Sequence, residues 1–470
     1  MAAGGWAEQA INFAIFVVLA RLLGAEAFGL LAMASAFVVF SEFLVRDSLS
    51  DVLIATDHPT DALFDATFWL LVALGAGLCA ALVLAAPLIA RLYGQPDVAA
   101  LIRALSPTVA MIALTAVPVA CLRREMKFRI LSLRGVAGVA AGGAVGIGMA
   151  AAGYGVWSLA GQRLVQVAVN IAMAWGAVVW RPGLRAGRRD YATVLGFGSR
   201  VLGLRAAELA ATQVPVVVIG AALGPVALGL YSVAWRLVEL SSFLIVTPLR
   251  LASQPAFAAL TRSGGKAADL LTDIARLTGL VAFPLFFGMA VLARPLLMLL
   301  FGPDWLGAAP VLAVLALVGL YFCIEKVNQS FCLAAGRAGG VTLIAWAEVM
   351  TGALLAWAAS PWGLAAVAGA FAVSYALWWG FRLRLVAGIA GIGVRQLVLC
   401  HVAPLLAAGA MGLVVYLVAR SLGGQSPALV LVVAVPAGVV VFAALTLVLM
   451  RDRLALLRRY LSRAPTDPAD

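Results

Sequence analysis

Charged and amide side chains stand inside stretches of this sequence that are otherwise apolar, and they are the residues with which the chain could do chemistry. The cationic and amide members are Arg163, Gln166, Asn170, Arg200, Arg205, Arg236 and Lys326. The acidic members are Glu8, Glu208, Glu239 and Glu325. An ionised side chain in the middle of a membrane span costs about 2.5 to 3.5 kcal/mol to insert, so it normally faces protein or water. These residues therefore predict a polar interior.

Two of the arginines favour an anionic ligand. Arg163 has no carboxylate on its own helix and shares that helix with Gln166 and Asn170, and Arg200 has no carboxylate three or four residues further on. A guanidinium group presents a planar fork to two oxygens and stays charged at physiological pH, which suits a pyrophosphate. The alternative is that either arginine only extends from a helix end toward the lipid headgroups.

The glutamates favour a coupling-ion site or simple pairing. Arg205 with Glu208, and Arg236 with Glu239, have the spacing that lets two side chains pair on one helix face. Such a pair either belongs to a binding site or only lowers the free-energy cost of inserting the helix into the membrane. Glu8 stands 200 positions before Glu208. All four glutamates are candidates for a proton or sodium site that biases a conformational equilibrium, with interhelical hydrogen bonding as the alternative.

The composition requires membrane-spanning elements to position these residues. The chain has 470 residues, of which 64% are hydrophobic and 11% charged, with a mean hydropathy of +1.06. A helical span needs about 20 mostly apolar residues. We predict an all-α, polytopic membrane protein with about fourteen transmembrane helices. The glycine run at 135–148 lies within one predicted span, where it indicates close helix packing rather than a nucleotide site.

The positive charges predict the orientation of the chain. The net charge is +12, and the basic residues cluster in alternate connections, among which we place Arg134 and Arg382, and in the tail at 451–463. Under the positive-inside rule, both termini are expected to be cytoplasmic. Because these charges anchor the topology, no nucleic-acid partner is implied. Membrane lipids are the expected contacts of these clusters.

The chain contains an internal repeat at an offset of about 200 residues. Residues 23–44 and 223–244 are identical at ten of twenty-two places, and Gly24 matches Gly224. Two copies with an even number of helices are related by an axis along the membrane normal. We therefore predict two six-helix bundles around a central cavity that opens alternately to either side.

The predicted domains follow this repeat. They are an N-terminal six-helix bundle at 1–190, a C-terminal six-helix bundle at 191–395, helices 13 and 14 at 396–450, and a basic cytoplasmic tail at 451–470.

Seven short motifs resemble one known family, the lipid-linked oligosaccharide flippases, or polysaccharide exporters, of the multidrug/oligosaccharidyl-lipid/polysaccharide superfamily. They are LARLLGAEAFGLLA (19–32), RREMKFR (123–129), GYGVWSLAGQ (153–162), LGPVALGLYSVAWRL (223–237), LARPLLMLLFGPDW (292–305), APVLAVLALVG (309–319) and LAAGR (333–337). The resemblance implies a bacterial inner-membrane carrier that moves an undecaprenyl-pyrophosphate-linked repeat unit to the periplasmic leaflet. It also makes a polysaccharide polymerase and a chain-length regulator candidate partners.

Three rival functions stay open at this point, and one of them, a non-transporting scaffold, is disfavoured by the polar residues within the predicted spans. A cation-coupled multidrug antiporter of the same superfamily would favour an anionic cavity, whereas the predicted interior is net basic. A membrane-embedded polysaccharide polymerase or ligase would need a sizeable outer loop with catalytic residues, and the predicted outer loops are short. The sequence shows no catalytic motif, no metal-ligand spacing and no nucleotide motif, so we expect no enzyme activity, metal or cofactor.

Overall fold

A computed structural model describes residues 2–46, 50–56, 58–262 and 267–449, and within those ranges the chain is helical with no strand. The α-helices are α1 (Ala2–Arg46), α2 (Asp51–Ala55), α3 (Asp61–Tyr93), α4 (Pro96–Leu105), α5 (Pro107–Arg124), α6 (Phe128–Ala151), α7 (Trp157–Ala177), α8 (Arg188–Arg262), α9 (Ala267–Val291), α10 (Ala293–Leu300), α11 (Ala309–Ala334), α12 (Ala338–Ala359), α13 (Leu364–Ala390), α14 (Val394–Ser421) and α15 (Pro427–Leu449). Two 3₁₀ turns, Pro303–Ala308 and Ser360–Trp362, precede α11 and α13.

The chain is a multi-pass membrane protein, as its composition predicts. Within the described ranges, eleven helical segments are long and apolar enough to cross a bilayer. The predicted count of fourteen is not reproduced, for two reasons. α1 and α8 each run through a predicted boundary between two spans. In addition, α7 carries several polar side chains and is not among the eleven segments.

The first of these long helices turns back on itself at Gly24. Glu8 and Arg46 line one cavity, although a straight helix would place residues 38 positions apart about 57 Å from each other. Gly24 has φ 74° and ψ 177°, a conformation that only glycine adopts without strain. Gly224 has nearly the same conformation, with φ 81° and ψ −175°. The repeat seen in the sequence is therefore also a repeat of backbone geometry.

The two kinked segments contact each other reciprocally. A Cβ on Gly29 would collide with the carbonyl oxygen of Pro225, and a Cβ on Gly229 would collide with the carbonyl oxygen of Ala25. Such an exchange of equivalent contacts is what a two-fold relation between two copies produces. The glycines are required because no side chain fits between the backbones.

Spatial proximity groups the chain into two compact units. Unit 1 consists of Met1–Val233 and Ala345–Phe371, and unit 2 of Ala234–Ile344 and Ala372–Asp470. The predicted domains follow the repeat instead of proximity, so their borders at residues 190 and 395 stay predictions.

In unit 1, glycines on α6 bring the polar face of α7 close. Gly138, Gly142 and Gly146 recur every four residues along one face of α6. A Cβ at Gly138 would lie 2.7 Å from Oδ1 of Asn170, and a Cβ at Gly146 would lie 2.9 Å from Cβ of Gln162. The glycine run therefore serves helix packing, as the sequence predicts.

In unit 2, an apolar cluster joins α14 and α15 to the chain between α9 and α10. Its buried members are Leu292, Met411, Val415, Val430 and Ala434. A buried ion pair, described below, links α11 to α13.

The connection between α7 and α8, residues 178–187, is held against α3 in unit 1 by Asp65. This carboxylate is 1% exposed and accepts hydrogen bonds from the backbone N–H groups of Gly183, at 2.9 Å, and Arg185, at 3.3 Å. The indole of Trp69 donates to the carbonyl of Gly183 at 2.8 Å. The connection is therefore a docked element of unit 1.

We expect Asp65→Ala to lower the free energy of unfolding by about 2 to 3 kcal/mol, because it removes two hydrogen bonds to a buried charged group. Unfolding in mixed detergent micelles measures this change. The matched control is Asp61→Ala, which removes an ion pair with Arg185 whose two side chains are both 66% exposed. This control is expected to change stability by less than about 1 kcal/mol. Equal losses of stability in the two variants would contradict the role of Asp65 in holding residues 178–187 against α3.

Candidate functional site

Unit 1 contains a cavity of about 240 Å³ between α1, α5, α6 and α7, here called the basic cavity. Its polar lining residues are Glu8, Arg46, Ser50, Thr115, Arg123, Arg134, Arg163, Gln166 and Asn170. Four arginines face one glutamate, which gives this lining a formal charge of +3. A cavity of this sign inside a membrane-spanning unit attracts anions and repels cations.

The polar lining residues come from several helices, and local features of each helix bring them to the cavity. Arg163, Gln166 and Asn170 recur at helical spacing and so lie on one face of α7. α1 supplies residues from both of its ends, because it turns back at Gly24. α6 supplies Arg134 from its second turn.

An ion pair between helices adjoins this cavity through Arg163. Nη2 of Arg163 lies 2.5 Å from Oε2 of Glu42, and the hydroxyl of Thr108 donates to Oε1 of Glu42 at 2.7 Å. Glu42 is 3% exposed, while the side chain of Arg163 is 34% exposed. Nη2 of Arg46 approaches Oε2 of Glu42 to 3.9 Å. Arg163 has no carboxylate partner on its own helix, and it pairs instead with Glu42 of α1.

A second, smaller cavity of about 160 Å³ shares the ion pair. Five of its ten lining residues are apolar, among them Leu31, Val38 and Leu159, and Glu42 is one of the five polar ones. Arg163 lines both cavities. Arg163 therefore lies between the basic cavity and a smaller, less charged one.

Two polar atoms of the basic cavity are buried without a hydrogen-bond partner among the residues that the structure describes. They are Nε of Arg134, a donor, and Oδ1 of Asn170, an acceptor. Buried polar groups are usually satisfied, so unsatisfied ones call for an explanation. The guanidinium group of Arg134 is attracted by Glu8 and repelled by Arg46 and Arg123. A bound anion would complete the coordination of this arginine.

The structure brings part of the predicted site together. Arg163, Gln166, Asn170 and Glu8 all line the basic cavity. Glu208 is half-buried on α8. The side chains of Arg200 and Arg205 lie outside the described residues, and so does the predicted pair of Arg205 with Glu208.

The remaining predicted residues lie in unit 2. Arg236 and Glu239 form the predicted pair, with Nη1 2.7 Å from Oε2, so this pairing is confirmed. Nζ of Lys326 donates to Oε1 of Gln329 at 3.1 Å. Glu325 forms a buried ion pair with Arg382 of α13. Whether these residues contact substrate or a coupling ion stays a prediction.

The positions predicted for Arg134 and Arg382 are wrong. Both were assigned to connections on the basic side, but Arg134 lies in α6 and Arg382 in α13. Each arginine has a carboxylate near it on another helix, Glu8 for Arg134 and Glu325 for Arg382, and such a partner makes a charge tolerable inside protein. Arg382 is 6% exposed.

Sequence reasoning also missed Glu42 as a site residue. Its partners Thr108 and Arg163 follow 66 and 121 positions later, on α5 and α7. The spacing of residues within one helix does not reveal such a contact between helices.

Comparisons with known proteins agree with this architecture. The chain is 26% identical to the succinoglycan biosynthesis transport protein ExoT of Rhizobium meliloti (strain 1021), over 97% of this chain and 92% of that protein. It is 25% identical to the lipopolysaccharide biosynthesis protein WzxC of Escherichia coli (strain K12), over 68% of this chain and 65% of that protein.

The fold is similar to that of solved membrane transporters. The inward closed conformation of the lipid II flippase MurJ matches with a TM-score of 0.80 and 13% identity, covering 96% of this chain and 99% of that one. An inward-facing multidrug resistance MATE family transporter matches with a TM-score of 0.59 and 15% identity, covering 81% and 95%. The sequence profile described as "Polysaccharide biosynthesis protein" matches residues 18–310, more than half of the sequence. The chain therefore belongs to the polysaccharide biosynthesis protein family.

Proposed function

We propose that the chain is a flippase that moves an undecaprenyl-pyrophosphate-linked oligosaccharide repeat unit across the bacterial inner membrane, for assembly of exopolysaccharide or lipopolysaccharide. The single observation that carries this proposal is the basic cavity within a membrane-spanning unit. A diphosphate is strongly anionic, and the forked donors of arginine suit its oxygens. Arg134 and Arg163 are the groups that would hold it.

The expected orientation places the basic cavity on the side where the substrate is made. The connection between α5 and α6 follows Arg123 and Arg124 and contains Lys127, so the positive-inside rule assigns this end to the cytoplasm. The diphosphate enters here, the sugars occupy the polar interior, and the prenyl chain stays in lipid. Both termini are cytoplasmic in this proposal.

Known relatives support translocation by alternating access. The names of ExoT and WzxC connect those proteins to succinoglycan transport and to lipopolysaccharide biosynthesis. MATE transporters of similar fold are known in inward-facing and outward-facing conformations, with TM-scores of 0.59 and 0.51 against this chain. A fold of this kind exposes one site first to one side and then to the other.

The observations favour the flippase over its rivals. A cationic drug would be repelled by the charge of the basic cavity. A polymerase or ligase would need a large outer loop, but the longest connection between helices in the described ranges is 178–187, on the basic side. Glu8, Glu208, Glu239 and Glu325 are the candidate coupling-ion residues in this proposal. A polysaccharide polymerase and a chain-length regulator are candidate partners.

Leaflet exchange in proteoliposomes tests the proposed function. We expect the reconstituted protein to move a fluorescent, pyrophosphate-linked oligosaccharide lipid to the outer leaflet at least about tenfold faster than protein-free liposomes do. A neutral glycolipid with the same sugars is the control substrate, and its exchange is expected to stay at the background rate. Transport of a cationic dye without exchange of the pyrophosphate lipid would instead support the antiporter.

A further inference from the structure

Glu42 already accepts a hydrogen bond from Arg163, one of the two arginines proposed to hold the diphosphate. Its Oε2 accepts from the guanidinium group of Arg163 at 2.5 Å, and its Oε1 accepts from Thr108 at 2.7 Å. Arg46, whose side chain is 51% exposed, approaches the same Oε2 to 3.9 Å. Both arginines also line the basic cavity. One buried carboxylate is thus shared by two arginines that face the proposed substrate site.

We propose that Glu42 is a built-in counter-anion that competes with the substrate diphosphate for Arg163. This inference rests on the proposed function and adds a mechanism of release to it. In the empty site the carboxylate neutralises the guanidinium group. When substrate is bound, a phosphate replaces Glu42 as the partner of this guanidinium group. Glu42 then pairs with Arg163 again and displaces the phosphate.

Physical constraints on transport favour such a competitor. Binding in a translocation pathway must be strong enough for entry and weak enough for exit. Four arginines around a diphosphate, with only Glu8 to oppose them, would hold the headgroup tightly. A buried carboxylate within reach of Arg163 lowers that affinity without removing the charge that attracts the substrate. Thr108 helps to keep the carboxylate in place because its hydroxyl donates to Oε1, while Arg163 donates to Oε2.

Binding of inorganic pyrophosphate to the purified full chain tests the competition. Glu42→Gln removes the charge and keeps the shape, so we expect it to bind pyrophosphate about tenfold more tightly than the wild type, a change equivalent to one charged hydrogen bond. Arg163→Gln should bind about tenfold more weakly. The double variant should bind like Arg163→Gln, because the gain acts through Arg163. Isothermal titration measures all four affinities.

The matched control is Glu125→Gln, which makes the same charge change in an exposed pair with Lys127 on the same side of unit 1. It should leave the pyrophosphate affinity within about twofold of wild type. Thr108→Val keeps both charges and removes the hydroxyl that fixes Glu42. It should tighten pyrophosphate binding about twofold to threefold, so it tests the proposal even where Glu42→Gln does not fold.

Leaflet exchange separates a lipid headgroup from free phosphate as the ligand. We expect Glu42→Gln to slow exchange of the pyrophosphate-linked lipid at least about fivefold, because release becomes slow. Unchanged pyrophosphate affinity in both Glu42→Gln and Thr108→Val would overturn the role of Glu42 as a counter-anion. The same conclusion would follow if Glu42→Gln bound pyrophosphate more tightly but exchanged the lipid at the wild-type rate. Wild-type affinity in Arg163→Gln would instead overturn the binding site of the proposed function.

Discussion

Arg382→Met is expected to lower the free energy of unfolding of unit 2 by about 3 to 5 kcal/mol, because it leaves the carboxylate of Glu325 buried without its counter-charge. Arg382 and Glu325 are 6% and 8% exposed, and they join α13 to α11. They stand 57 positions apart in the sequence, so the pair links distant parts of the chain. Unfolding in mixed micelles and the yield of folded protein after purification measure the effect.

The double variant Arg382→Met/Glu325→Met is the matched control for this prediction. Replacement of both members of a buried ion pair by apolar residues is often neutral for stability. We therefore expect the double variant to recover most of the loss. A single variant as stable as wild type would contradict a buried pair, and a double variant no more stable than the single one would contradict the electrostatic cause.

Arg134→Gln/Arg163→Gln is expected to slow exchange of the pyrophosphate-linked lipid by about 100-fold or more. Each arginine supplies at least one hydrogen bond to a charged group, and each such bond corresponds to about one factor of ten in affinity. The two side chains come from α6 and α7 and line the same cavity. Leaflet exchange at substrate concentrations well below saturation measures the loss.

Arg185→Gln is the control for the double variant of the basic cavity. It also removes an arginine from the basic side of unit 1, but this arginine forms an exposed pair with Asp61. We expect its exchange rate to stay within about twofold of wild type. Rates for Arg134→Gln/Arg163→Gln that match those of Arg185→Gln would exclude the basic cavity from translocation.

Much of the architecture is predictable from the sequence, because it depends on patterns that a single helix carries. Apolar length identifies the membrane-spanning helices, and helical spacing places Arg163, Gln166 and Asn170 on one face of α7. The matching glycines of the repeat, Gly24 and Gly224, identify the two kinks. Each of these features is local or repeats with a fixed offset.

The rest of the site depends on contacts between helices, which local patterns do not encode. Arg134 belongs to a basic cluster in the sequence, and its proximity to Glu8 of α1 becomes apparent only in the structure. Glu42 and Arg163 meet because the glycines of α6 fix the position of α7. The charge pattern likewise does not reveal that Arg382 is buried, because its partner Glu325 lies 57 positions earlier in the sequence.

The most direct test of the central claim is an experimental structure of the protein in a lipid nanodisc with a bound pyrophosphate-linked lipid. The claim is that the basic cavity of unit 1 binds the diphosphate headgroup. We predict both phosphate groups in that cavity, within hydrogen-bonding distance of Arg134 and Arg163, with Glu42 displaced from Arg163. A diphosphate bound elsewhere, with Arg163 still paired to Glu42 and the cavity free of phosphate, would contradict the account.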